Sequence, residues 1–201
     1  KLVTIGLMFN NLSLSSSDIA NYNFTDAQKQ QIAYILLNGI GNPLGVPPSY
    51  MRGLEIELAH ADPTGASINS IAMFPWSGSA DAKVDNIVTW IGNAYFGGHE
   101  LRDDIVNGMQ SQFGGQIPSN MTGLAYSGSG DPLVQAVNAN PNWDMKALVL
   151  VNTPLGIYRQ ITNSNVKNVI MIGGTGDPLS EQGFENQGFD NNPTSLNVYK
   201  V

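Results

Sequence analysis

Apolar and polar residues fall into blocks along this chain, and the block lengths predict most of its elements. Apolar runs of strand length occupy residues 1–9, 68–74, 121–126, 146–152, 166–172 and 195–201. Between them the apolar positions recur at helical spacing. Thr25-Asp26-Ala27-Gln28 is a capping box, in which the Thr and Gln side chains satisfy the first backbone donors of a helix. It predicts a helix to about residue 38, with Ala27, Gln31, Ile32, Ile35 and Leu36 near one face and Gly39 as its stop. A second helix is predicted over 81–93, with Val84, Ile87, Val88 and Ile91 inward. A third covers 99–113, with Leu101, Ile105, Val106 and Met109 as its apolar face, and a fourth 132–139. Residues 39–66 are punctuated by Gly, Pro and Asn and are long for a bare connection. Within them residues 54–58 alternate apolar and acidic positions, as a half-exposed edge strand would.

Strands alternating with helices predict an α/β domain, a mainly parallel sheet with helices on both faces, spanning residues 1–201 with residues 39–66 as an insertion. At 201 residues one domain can bury a substantial core. Composition then removes whole classes of function. The absence of cysteine excludes disulfides and thiol nucleophiles. A net charge of -7 with only 9 Lys plus Arg leaves no basic patch for nucleic acid. No apolar run approaches the length of a membrane-spanning helix. The low charged fraction of 12% and the abundance of Asn, Ser and Gly point to a secreted or cell-envelope protein, with the cytoplasm as the alternative.

One stretch carries candidate chemistry. The run Met121-Thr122-Gly123-Leu124-Ala125-Tyr126 ends abruptly at Ser127-Gly128-Ser129-Gly130, and helical sequence resumes at Asp131. A strand, a sharp turn and a helix place the Ser127 hydroxyl at the carboxyl end of a central strand, where open α/β sheets bind ligands. Small neighbours let the serine backbone take a strained conformation. The Gly128 N–H, at the mouth of the helix, can donate to a developing oxyanion. A second donor is expected from Asn10-Asn11-Leu12, with Trp76-Ser77 as the alternative; the plainer role of Asn10 and Asn11 is to close a turn through their side chains. Asp177, in the glycine turn after the strand at 166–172, can orient an imidazole, or can simply form an Asx-turn before Pro178. Asp131 is expected to cap the helix after the serine.

With these residues in place, the chain resembles the α/β-hydrolase superfamily, especially its lipase- and esterase-like members. Ala125-Tyr126-Ser127-Gly128-Ser129-Gly130 matches the nucleophile elbow, with Ala for its first glycine and Ser for its second. Residues 169–177 with Pro178-Leu179 look like the strand and turn of the catalytic acid. Residues 5–11 look like the strand with the oxyanion loop, and residues 71–78 like the strand after it. The resemblance implies a serine nucleophile, an acyl-enzyme, an ester substrate (lipid esters included), and an acyl pocket near Leu12, Trp76, Tyr126 and Leu179. It also implies a histidine after the last strand, and none stands there. The chain's two histidines, His60 and His99, both precede the serine.

Three explanations compete. A C-terminal segment bearing the base is missing, which is the favoured expectation because both ends of the sequence look trimmed. Alternatively, His60 is recruited from the insertion, near Asp62. Or the domain has no working triad and is a binding module. His99 is expected to be a surface or capping residue. No zinc-ligand spacing, P-loop or dinucleotide fingerprint accompanies these motifs, so neither metal nor cofactor is expected.

Overall fold

A computed structural model describes residues 34–37, 39–40, 70–73, 82–113, 119–156, 160–174, 176–178 and 197–200. They form six strands, β1 (Tyr34–Leu37), β2 (Ser70–Met73), β3 (Met121–Tyr126), β4 (Met145–Val151), β5 (Asn168–Ile172) and β6 (Asn197–Lys200). Three helices accompany them, α1 (Ala82–Tyr95), α2 (Glu100–Phe113) and α3 (Gly130–Ala139). The strands make one sheet in the order β2-β1-β3-β4-β5-β6, and every pairing is parallel. The α/β class and the parallel sheet are therefore as the sequence predicts. The predicted strands at 1–9 and 54–58 lie outside the described residues.

The main core lies between the sheet and α2 and α3. Register aligns Ile35 with Gly123 and Leu37 with Ala125, and both rows share the buried face with Leu148, Leu150, Val169 and Met171. From the helices, Ile105, Met109, Leu133, Val134 and Val137 close on that face. Each such side chain, once buried, contributes about 1.5–3 kcal/mol. Leu36 points to the opposite face and is also 0% exposed, so the sheet is covered on both sides at β1.

β1 corrects the sequence reading, which carries a helix through residues 34–37. Ile35, Leu36 and Leu37 are consecutive and all fully buried. A helix in a surface layer keeps one polar face, whereas a central parallel strand buries both of its faces. Pairing with β2 on one side and β3 on the other takes up the backbone hydrogen bonds that a helix would otherwise have made internally.

α1 begins where predicted but turns a different face inward. Trp90, Asn93 and Ala94 are buried, whereas Ile87, Val88 and Ile91 are 47%, 62% and 40% exposed. Trp90 packs with Ala94, Leu101, Ile40 and Tyr95, meeting the Tyr95 ring edge-on at 5.8 Å between centroids. Asn93 fixes the corner to α2. Its amide donates to the Thr89 carbonyl (2.8 Å) and to the Glu100 carboxylate (2.7 Å), and its Oδ1 accepts the Leu101 N–H (3.2 Å). The Glu100 carboxyl is held below its ordinary pKa by a hydrogen bond from its own backbone N–H and next by the Asn93 amide. The apolar face of α2 is as predicted: Leu101, Ile105 and Met109 are buried and Val106 packs against the core.

α3 is buried along residues 130–137. Pro132 sits in its first turn, where its missing N–H costs nothing. At the other end the Asn163 amide donates to the carbonyls of Val137, Asn140 and Trp143, each at 3.1 Å, and so ties the end of α3 to the turn that leads into β4. The orientation of α1 is testable by paired substitutions followed by denaturant unfolding. Trp90→Ala should cost about 3–5 kcal/mol, and Val88→Ser should stay within roughly 0.5 kcal/mol; the reverse ranking would restore the face read from periodicity.

Candidate functional site

The strand order reverses between β1 and β3. The chain leaves β1 toward β2 on one side, and leaves β3 toward β4 on the other. The carboxyl ends of two strands related in this way are the usual ligand position in a sheet of this kind. Two segments meet there: Gly39-Ile40 from the β1 end, and Ser127-Gly128 from the β3 end.

Ser127 follows Tyr126 directly and has φ 54, in the left-handed region that non-glycine residues seldom adopt. A 3₁₀ turn over Ser127–Ser129 leads straight into α3, and the Gly130 N–H bonds back to the Ser127 carbonyl. The sharp turn thus lifts the serine out of the strand direction. Ser127 is half-buried while Ser129 is 0% exposed, so the first of the two serines is the one within reach. Gly128 is buried at the start of the helical turn, where N–H groups have no partner inside the helix.

Two glycines permit this turn. A Cβ on Gly39 would lie 2.9 Å from the Ser127 Cβ and 3.0 Å from the Tyr126 ring. On the other side, a Cβ on Gly130 would overlap the Cγ2 of Thr153 and lie 2.9 Å from its Cβ and Oγ1. The serine turn is therefore wedged between the β1 loop and the loop after β4. Asp131 secures it from below. It is 0% exposed, its Oδ1 accepts the Gly156 N–H (2.8 Å) and its Oδ2 accepts the Gln135 amide (2.7 Å). Gln135 also donates to the Asn93 carbonyl (3.1 Å), which joins α3 to α1. The capping role expected for Asp131 is corrected: the cap of α3 is Ser129, which makes no side-chain cap hydrogen bond, and Asp131, inside the first turn, instead ties the helix to the loop after β4.

Asp177 sits past β5, its N–H donating to the Gly174 carbonyl (3.1 Å) in a tight turn, and it is half-buried. The register runs Tyr126 to Val151 to Ile172 across β3, β4 and β5. Ser127 and the Asp177 turn thus leave strands separated by one, about 10 Å apart across two strand spacings. Asn152, at the end of the strand between them, has φ 46.

Asn10, Asn11, Leu12, His60 and Trp76 lie outside the described residues. The segment that the structure brings against Ser127 is Gly39, which the sequence reading used as a helix stop. A signal for it was present: four consecutive apolar residues ending in Asn38-Gly39 mark a buried strand and its turn as well as a helix end. His99 is exposed ahead of α2, its carbonyl accepting the Asp103 N–H (2.8 Å), as expected of a surface or capping residue. Among the described residues no imidazole is hydrogen-bonded to Ser127, and no cluster of metal-ligating side chains occurs. No described helix is long and apolar enough to cross a membrane.

No known protein family matches the chain, and no curated protein does. The wedge around Ser127 is open to measurement on its own terms. Gly130→Ala should destabilise the fold by about 1–3 kcal/mol through overpacking, and Thr153→Ala in the same chain should recover part of that loss. Additive effects in the double-mutant cycle would show that the two residues do not touch.

Proposed function

We propose that this protein is a serine hydrolase of the α/β-hydrolase type, cleaving carboxylic esters, lipid esters among them, through an acyl-enzyme on Ser127. The observation that carries the reading is the left-handed backbone of Ser127, at the end of a central strand and beside the point where the strand order reverses. Strained non-glycine residues persist where the surrounding structure holds them, and they gather at active sites. The position of Asp177, past the second strand over with one strand between, supports the reading further.

In this mechanism the Ser127 Oγ attacks the ester carbonyl carbon while an imidazole takes its proton. The carbonyl oxygen becomes an oxyanion facing the Gly128 N–H and a backbone donor of the Gly39-Ile40 segment. Collapse breaks the bond to the alkoxy oxygen, and the imidazole returns the proton to the leaving alcohol. Water, deprotonated by the same imidazole, then attacks the acyl carbon and releases the acid and Ser127. Asp177 orients the imidazole and stabilises its cation. The imidazole comes from His60 or from a histidine outside these 201 residues. Tyr126, whose ring stands beside Gly39, borders the acyl site, with Trp76 and Leu12 as further candidates. A secreted or envelope location suits an ester hydrolase of this composition.

A second reading, a catalytically silent module that binds its ligand in the same crevice, is favoured by the place of the chain's two histidines, His60 and His99, both ahead of the serine rather than after the acid turn. A fluorophosphonate separates the two. The Ser127 Oγ bonds to phosphorus as fluoride leaves and the proton passes to the base. The hydrolase reading predicts one covalent adduct per chain, lost in Ser127→Ala together with roughly 10³-fold or more of any esterase rate. No adduct, or an adduct retained in Ser127→Ala, would favour the binding module.

A further inference from the structure

We infer that Asn152 is a positioning residue that sets the turn carrying Asp177 and so fixes where the acid stands relative to Ser127. The inference rests on the hydrolase reading for Asp177, but its geometry is separate. Asn152 ends β4, the strand lying between the serine strand and the acid strand. Its N–H donates to the Ile172 carbonyl (2.8 Å), continuing the β4–β5 ladder by one step. Its φ of 46 then turns the chain, as asparagine tolerates better than most residues. The carboxamide thereby reaches across to β5, where Oδ1 accepts the Gly174 N–H (3.1 Å). Gly174 in turn accepts the Asp177 N–H at its carbonyl (3.1 Å), and the ideal Cβ position of Gly174 is 3.7 Å from the Asp177 Cβ. One side chain therefore holds the base of the acid turn, with no contact to a substrate required.

This arrangement has a consequence for the imidazole between Ser127 and Asp177. Asn152 follows the strand between the two and holds Gly174, so a change in its side chain moves the acid turn and with it the imidazole's proton affinity. Asn152→Gly keeps the left-handed backbone and removes the acceptor. Asn152→Asp keeps an acceptor and adds a negative charge to the gap. A displacement of the acid turn by an ångström is enough to lower the rate by roughly 10–100-fold.

The test measures two properties in the wild type and both variants: amide hydrogen exchange at Gly174, and the pH dependence of the fluorophosphonate reaction. Asn152→Gly should speed Gly174 exchange about tenfold or more, slow phosphonylation by roughly 10–100-fold and move its pH midpoint down. Asn152→Asp should keep Gly174 protected and move the midpoint up. If the wild type reacts while Asn152→Gly shows unchanged exchange, rate and midpoint, the inference about Asn152 is wrong and the hydrolase reading stands. If the wild type itself does not react, the hydrolase reading falls and takes this role with it. Should Asn152→Gly fail to fold, Asn152→Ala, which also lacks the acceptor, is read in its place, and unchanged exchange, rate and midpoint in that variant overturn the inference.

Discussion

The contact on which the rest of this site depends is the wedging of the Ser127 turn between two backbones. Gly39 presses on it from the β1 loop, and Gly130 seats its helical side against Thr153 after β4. A left-handed serine costs of order 1–3 kcal/mol and persists only where its surroundings leave no alternative. Here the surroundings are a strand paired on both sides, a helix starting at once, and two loops too close to accept a side chain. The same wedging brings loops from three adjacent strands to one edge of the sheet. The reversal of strand order is thus a result of topology, and the strained serine a result of packing beside it.

Polar side chains then tie this arrangement together where charge is scarce. A chain of hydrogen bonds runs from Glu100 through Asn93 and Gln135 to Asp131 and the Gly156 N–H, linking α2, α1, α3 and the loop after β4. Asn163 closes the far end of α3, and Asn138 ties the same helix to the segment before β5. A carboxamide offers donors and an acceptor without the desolvation cost of an ion. The high asparagine content thus has a structural use in this fold, beside whatever it says of location. Removing one member of such a buried network leaves its partners unsatisfied, which is costly in a dry interior.

Much of the architecture was legible because buried parallel strands are short apolar runs with turn residues on either side. The runs at β3, β4 and β5, and the serine turn leading into α3, are of this kind. β1 was not legible, because Ile35 and Leu36 also fit the helical spacing begun at the Thr25 capping box. Burial on both faces of a strand leaves no alternation to read. The face of α1 was lost for a related reason. Val84, Ile87, Val88 and Ile91 have the stronger apolar period, but the neighbours offered by Ile40 and Leu101 select Trp90 and Ala94. At the site, Ser127, Gly128 and Asp177 could be named from local turn chemistry. Gly39 was signalled only as the end of a strand or helix, and Asn152 not at all, since their contacts arise from strands brought together across the sheet.

The most direct measurement is a crystal structure of the protein after reaction with a fluorophosphonate. The expected density is continuous from the Ser127 Oγ to phosphorus, with the phosphoryl oxygen facing the Gly128 N–H and the Gly39-Ile40 segment. Ser127 should keep its positive φ. An adduct on any other residue, or a Ser127 relaxed into ordinary extended or helical backbone with no adduct, would contradict it.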